Sequence, residues 1–163
     1  MVDLLKYVTA DSIRYLDMKG YDKILKHLVS DALNGYDEKI KKEVLEEIKA
    51  GAKSNQPLDI NLGRGFALVH AKNDNVRKIH LVIALLPAKT ALVRGEPAHT
   101  LIFIILPGSQ SRTYLSMLAR LGRMLSKDDA EKAFTSAASI MAEGRHAEGI
   151  KAVIDYVSDF EKG

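Results

Sequence analysis

The chain has 163 residues, 47% of them hydrophobic and 28% charged, a balance that fits one globular domain with a real core and excludes a disordered chain. Its formal charge of +3 is small, and its lysines are scattered among acids as in Asp37-Glu38-Lys39-Ile40-Lys41-Lys42-Glu43, so no nucleic-acid partner is indicated. The absence of cysteine removes disulfides, thiolate metal sites and cysteine nucleophiles.

The longest apolar runs, residues 81–88 and 101–107, are too short to cross a bilayer, so no direct membrane insertion is expected. Residues 1–7 lack the basic start, long apolar stretch and cleavage site of a signal peptide, and a cytoplasmic location is expected.

Residues 1–10 offer a helical turn and residues 12–16 a short strand. From 19 to 34, Tyr21, Ile24, Leu25, Leu28, Val29, Ala32 and Leu33 recur at the spacing of one helix face, and Asn34-Gly35 supplies the stop. His27 falls on the outer side of that helix. Asp37 can cap a second helix to about residue 50, with Ile40, Val44, Leu45 and Ile48 inward. Residues 52–62, which include Pro57, read as a loop with room for a short strand.

The run Leu62-Gly63-Arg64-Gly65-Phe66-Ala67-Leu68-Val69-His70-Ala71-Lys72 then combines two glycines, a short apolar strand and a histidine at the strand's end. The glycines mark a turn or a close backbone approach. A histidine so placed is compatible with a hydrogen-bonded structural residue as well as with a reactive one.

After a polar turn at 72–75, residues 80–86 read as a central strand, 91–94 as an edge strand, 95–97 as a turn and 100–106 as a second buried strand. His80 and His99, at the entrances of these strands, read as hydrogen-bonded or solvent-facing rather than as ligands. Residues 107–111 form a loop that can cap the next helix, whose inward stripe is Tyr114, Leu115, Leu118, Leu121, Gly122 and Leu125. A short helix to about 134, a small-residue helix to 141 and a final helix over 148–160 follow. The last places Ile150, Val153, Ile154, Val157 and Phe160 on one face. This order predicts a single α/β domain over residues 1–163, with helices on both faces of a central β-sheet.

The segment around His70 resembles the active-site segment of the type 2 enzyme IIA domains of the bacterial phosphotransferase system, the mannitol/fructose class that includes nitrogen-regulatory IIA proteins. Gly63, Gly65, Ala67, His70 and Ala71 carry the match. A second match lies in strand 101–107 and in Tyr114-Leu115-Ser116-Met117-Leu118-Ala119-Arg120-Leu121, and the likeness runs from about residue 12 to 160. It implies a mixed sheet, and His70 as acceptor of a phosphoryl group from a phosphohistidine carrier protein of the HPr type or its nitrogen-branch counterpart. The group would pass to a IIB domain or a regulated target on another chain, or serve as a signal. No cofactor and no metal are implied.

Neutral imidazole, with a reference pKa of about 6.5, is a competent nucleophile near neutral pH. The phosphoryl group adds up to about two negative charges, which need donors. Candidates are the loop and helix start at Ser109 and Ser111, where free N–H groups and the helix dipole favour an anion. The sequence departs from the family pattern at three places. Val69 stands where a proline commonly precedes the histidine. The usual upstream arginine has no clear match, the nearest position offering Lys53 or Ser54, with Arg64 as a possible substitute. Tyr114 stands at the position of a second, assisting histidine. These departures leave two readings open: a retuned phosphocarrier, or a non-catalytic interaction module that keeps the fold.

Overall fold

A computed structural model describes residues 2–51, 59–93 and 96–163. Five strands form one sheet in the order β1 (Ile13–Tyr15), β4 (His80–Val93), β5 (Glu96–Leu106), β3 (Phe66–Lys72), β2 (Asp59–Gly63). Strands β1 and β4 pair in parallel, as do β3 and β5, whereas β4/β5 and β2/β3 are antiparallel. The sheet is therefore mixed. Helices α1 (Tyr21–Ala32) and α2 (Glu38–Gly51) cover one face, and α3 (Ser111–Leu125), α4 (Ala130–Ala142) and α5 (His146–Lys162) cover the other.

Strand alternation sorts the core. In β3, Phe66 and Leu68 point to the α3–α5 side while Ala67, Val69 and Ala71 point to the α1–α2 side. Strand β5 divides in the same way, Ile102 and Ile104 against Leu101, Phe103 and Ile105. Burial on both faces explains why these strands read as continuous apolar runs. Phe66, Phe103 and Phe134 are fully buried, each stabilising the fold by roughly 1.5–3 kcal/mol on area grounds.

Three expectations about the elements need correction. Residues 80–86 and 91–93 are not separate strands, because β4 runs unbroken through Pro87, and residue 94 of the expected edge strand lies outside the described residues. Its register to β5 jumps from Leu85↔Thr100 to Thr90↔Ala98, five residues against two, and this bulge accommodates the proline that reads as a break in sequence. The short helix to 134 and the helix to 141 are one helix, α4. The buried stripe of α3 is Tyr114, Met117, Leu121, Met124 and Leu125, whereas Leu115 is 62% exposed and Gly122 is also exposed. Methionines supply the spacing assigned to leucines, which rotates the helix about its axis.

Helices α4 and α5 approach closely at Gly149. A Cβ there would lie 2.1 Å from Met141 Cγ and 2.9 Å from the Ala137 carbonyl oxygen. The methionine can move, but the backbone oxygen moves only if the helices part. Gly149→Ala gains about 0.5–1 kcal/mol of helix propensity and loses about 1–3 kcal/mol to overpacking. A net loss of up to about 2.5 kcal/mol is expected, read as a lower denaturation midpoint at unchanged slope.

The N-terminal segment is tied to the end of α5, where the Leu4 N–H donates to Glu161 Oε2 at 3.0 Å. The same carboxylate accepts from Arg120 Nε of α3 at 2.9 Å.

Candidate functional site

His70 sits near the carboxyl end of β3, directly opposite Ile104 of the parallel neighbour β5. Alternation along β3 turns its side chain to the α3 side, and it is half-buried. There its ring stacks on that of Tyr114, with centroids 5.2 Å apart and planes 28° from parallel. Tyr114 belongs to the first turns of α3 and is 4% exposed. Its hydroxyl is buried and has no hydrogen-bond partner among the described residues, and burial pushes its pKa up to about 12. It is a proton donor at any physiological pH and never a cation.

The loops at this end of the sheet hold the pair in register. The Asn73 N–H donates to the Leu106 carbonyl at 3.0 Å, and the Gly108 N–H donates to Asp74 Oδ1 at 3.0 Å, fastening the end of β3 to the entry of α3. Ser109 is exposed in the 3-10 turn Gly108–Gln110. Ser111 opens α3, but its hydroxyl donates to the Gly108 carbonyl at 2.8 Å instead of capping the helix. Both serines lie at the His70 end of the sheet.

Arg64 does not. It occupies the β2–β3 hairpin, six residues back along the strand and so roughly 20 Å from His70. Its guanidinium donates to the carbonyls of Ser126 at 3.2 Å and Lys127 at 3.0 Å, just past the carboxyl end of α3 where a cation is favoured. It cannot serve a group on His70, and its candidacy is withdrawn. Lys53 lies outside the described residues.

The glycine pair is displaced with Arg64. The two loop residues of the hairpin, Arg64 and Gly65, both have positive φ, 54° and 84°, as a type I′ turn requires. Gly65 has a second constraint: a Cβ there would lie 2.3 Å from Cδ2 of His99. The motif thus makes a turn and seats a different histidine. His99 is 3% exposed, with Nδ1 2.7 Å from Thr100 Oγ1 and Nε2 2.9 Å from the Arg64 carbonyl oxygen. His80 lies on the α1–α2 face, its Nε2 2.9 Å from the Tyr36 hydroxyl. Burial, then the charges of Lys78 and Arg77, hold its pKa below the usual histidine value. His27 is exposed.

One cation was overlooked. Lys72, two residues beyond His70, shares its face of β3 about 7 Å along the strand and is exposed. The period-two alternation that places His70 would have identified it.

The sequence matches the family model for the phosphoenolpyruvate-dependent sugar phosphotransferase system, EIIA 2, over residues 6–142. The chain belongs to this family. No functionally curated protein matches it. Among solved structures, the nitrogen regulatory protein IIA-Ntr of Neisseria meningitidis is similar at 13% identity and TM-score 0.68, covering 93% of this chain and 97% of that one. The mannitol-specific cryptic phosphotransferase enzyme IIA of Escherichia coli aligns at 18% identity and TM-score 0.67, over 97% and 99% of the two chains. The mannitol enzyme IIA of Escherichia coli, solved in complex with phosphorylated mannitol enzyme IIB, aligns at 16% identity and TM-score 0.66, over 93% and 96%. These likenesses show a shared α/β fold. Among the described residues of this EIIA 2 member, no helix is long and apolar enough to cross a membrane.

Proposed function

We propose that His70 accepts a phosphoryl group from a phosphohistidine carrier protein of the HPr type and passes it to a partner on another chain, a IIB domain or a regulated target. One observation carries this reading. A buried hydroxyl with no acceptor among the described residues, that of Tyr114, is held against the ring of a half-buried imidazole. A phosphoryl oxygen on that ring supplies the acceptor. Membership of the EIIA 2 family supports the chemistry, and the complex of mannitol IIA with phosphorylated IIB supports the choice of a IIB domain as recipient.

Nδ1 of His70 is buried, and we take Nε2 as the nucleophile. Its lone pair attacks phosphorus on the donor, and the donor imidazole leaves with the electron pair of its P–N bond. The new charge is met by the Tyr114 hydroxyl, the N–H groups of the first turn of α3 and its dipole, with Lys72 at the rim. The test is incubation with phosphoenolpyruvate, enzyme I and the carrier, followed by intact mass. One phosphoryl group per chain is expected, and none without the carrier.

Tyr114→Phe separates the two states of the protein. In the unmodified form it removes a buried hydroxyl with no partner among the described residues, so stability should hold or rise by up to about 1 kcal/mol. In the phosphorylated form it removes a donor to a charged group, worth about 1.5–3 kcal/mol, so the phosphorylated fraction at a fixed carrier ratio should fall about tenfold or more. Phosphate-shift electrophoresis measures the second effect and urea denaturation the first. A fall in stability with no change in phosphorylation would count against this role.

A second reading, an interaction module that binds its target without phosphoryl transfer, is favoured by two of the three departures. Tyrosine cannot carry the positive charge of an assisting histidine, and Arg64 is committed to the far end of the strand. A wild-type chain that never takes up phosphate yet binds a transporter or kinase would establish it.

A further inference from the structure

We propose that the cavity between β4, β5 and α4 is a second ligand site, which takes a small molecule with an apolar body and a cationic, hydrogen-bond-donating head. The cavity encloses about 310 Å³ and lies around His99, five residues before the β5 residue that faces His70, hence roughly 17 Å from the first site. Its volume equals about ten water molecules at liquid density, room for a single ring with a short substituent.

The cavity follows from the bulge. The residues that β4 inserts around Pro87 break the alternation there, and the N–H groups of both His99 and Thr100 turn to one acceptor, the Gly65 carbonyl, at 2.9 and 3.2 Å. The His99 ring is thereby aimed at the face covered by α4 and packs edge-on against Phe66. Gly65, lacking a Cβ, lets the ring in. This placement is rigid on the protein side. The Arg64 carbonyl can only accept, so Nε2 carries a hydrogen, and in the neutral ring Nδ1 accepts from the Thr100 hydroxyl.

Of the remaining polar lining residues, Tyr15 and Ser139 bring hydroxyls that can donate or accept, and Glu131 and Thr135 set the preference for a cation. Glu131 Oε2 is 3.7 Å from His99 Nε2, too far for a hydrogen bond, and the Glu131 side chain is 44% exposed. Its carboxylate is held at the cavity with acceptor capacity in hand. The Thr135 hydroxyl spends its hydrogen on the Glu131 carbonyl at 2.8 Å, so its oxygen too faces the cavity as an acceptor. Pro87 and Ala138 supply apolar wall, and among the described lining residues none is lysine or arginine. Acceptors, one negative charge and apolar walls suit an amine and repel a carboxylate.

The experiment is a titration of the full chain with benzylamine, followed through backbone amide resonances in ¹H–¹⁵N spectra, with benzoate as the size-matched anion. Benzylamine should give saturable shifts centred on His99 and Ala138, and benzoate should bind at least about tenfold more weakly. Glu131→Gln, a half-exposed change, should weaken benzylamine about tenfold, the value of a charged hydrogen bond. Ala138→Leu should fill the cavity and abolish the shifts. If that variant does not fold, Glu131→Gln still decides. Equal response to the two probes, response to neither, or an unaltered Glu131→Gln titration would overturn the proposal.

Discussion

Replacing His70 by glutamine is expected to abolish phosphoryl uptake while leaving the fold intact. Glutamine keeps a planar, hydrogen-bonding side chain against Tyr114 but offers no nucleophilic nitrogen. The other four histidines cannot substitute. His99 is buried, His80 is held by Tyr36 on the opposite face of the sheet, and His27 and His146 are exposed on α1 and α5, away from the Tyr114 hydroxyl. Intact mass after incubation with the donor system reads the result. The wild-type product should be labile in acid and stable in base, as a phosphoramidate is. Label persisting on the variant, or found on His80, would refute the assignment.

Gly65→Ala should be the most damaging single-methyl change on the sheet and should nevertheless leave phosphoryl chemistry alone. The new Cβ would sit 2.3 Å from Cδ2 and 2.6 Å from Nε2 of a ring fixed by Thr100 and Arg64. Positive φ costs an alanine roughly 1–2 kcal/mol, and displacing the ring costs about 1–3 kcal/mol more. The total of about 2–5 kcal/mol corresponds to a melting temperature lower by roughly 4–20 °C for a chain of this size. Per folded molecule, the rate at His70 should be unchanged within about twofold, because the substitution lies at the other end of β3. Strong loss of phosphorylation at a temperature where the variant is folded would restore the glycines to the His70 site.

That contrast shows what was readable in the chain and what was not. Helices α1, α2 and α5 followed from periodicity, because each buries one face, and the cores of β4 and β5 followed from unbroken apolar runs, because both of their faces are buried. His70 is proposed from its segment, and Gly63, Arg64 and Gly65 were drawn into the same site by nearness in sequence. A strand separates what it joins: six residues of extended chain put Arg64 against the end of α3. The approach of Tyr114 to His70 bridges forty-four positions and depends on the α3 axis packing over β3, which no local pattern states. The continuity of β4 was hidden by Pro87, whose missing N–H reads as an interruption until the bulge is seen to absorb it.

Helix α3 is fastened at both ends. Its entry is fixed by the Gly108–Asp74 hydrogen bond and the Tyr114 stack, and the carbonyls just beyond its last turn are gripped by Arg64 from the hairpin. A rod clamped in this way has little room to swing when the side chain beneath its first turn gains charge. Information written on His70 would then leave the molecule as electrostatic potential rather than as altered shape. A reader of that state would discriminate by long-range attraction or repulsion, and its preference should fade as added salt shortens the reach of the field.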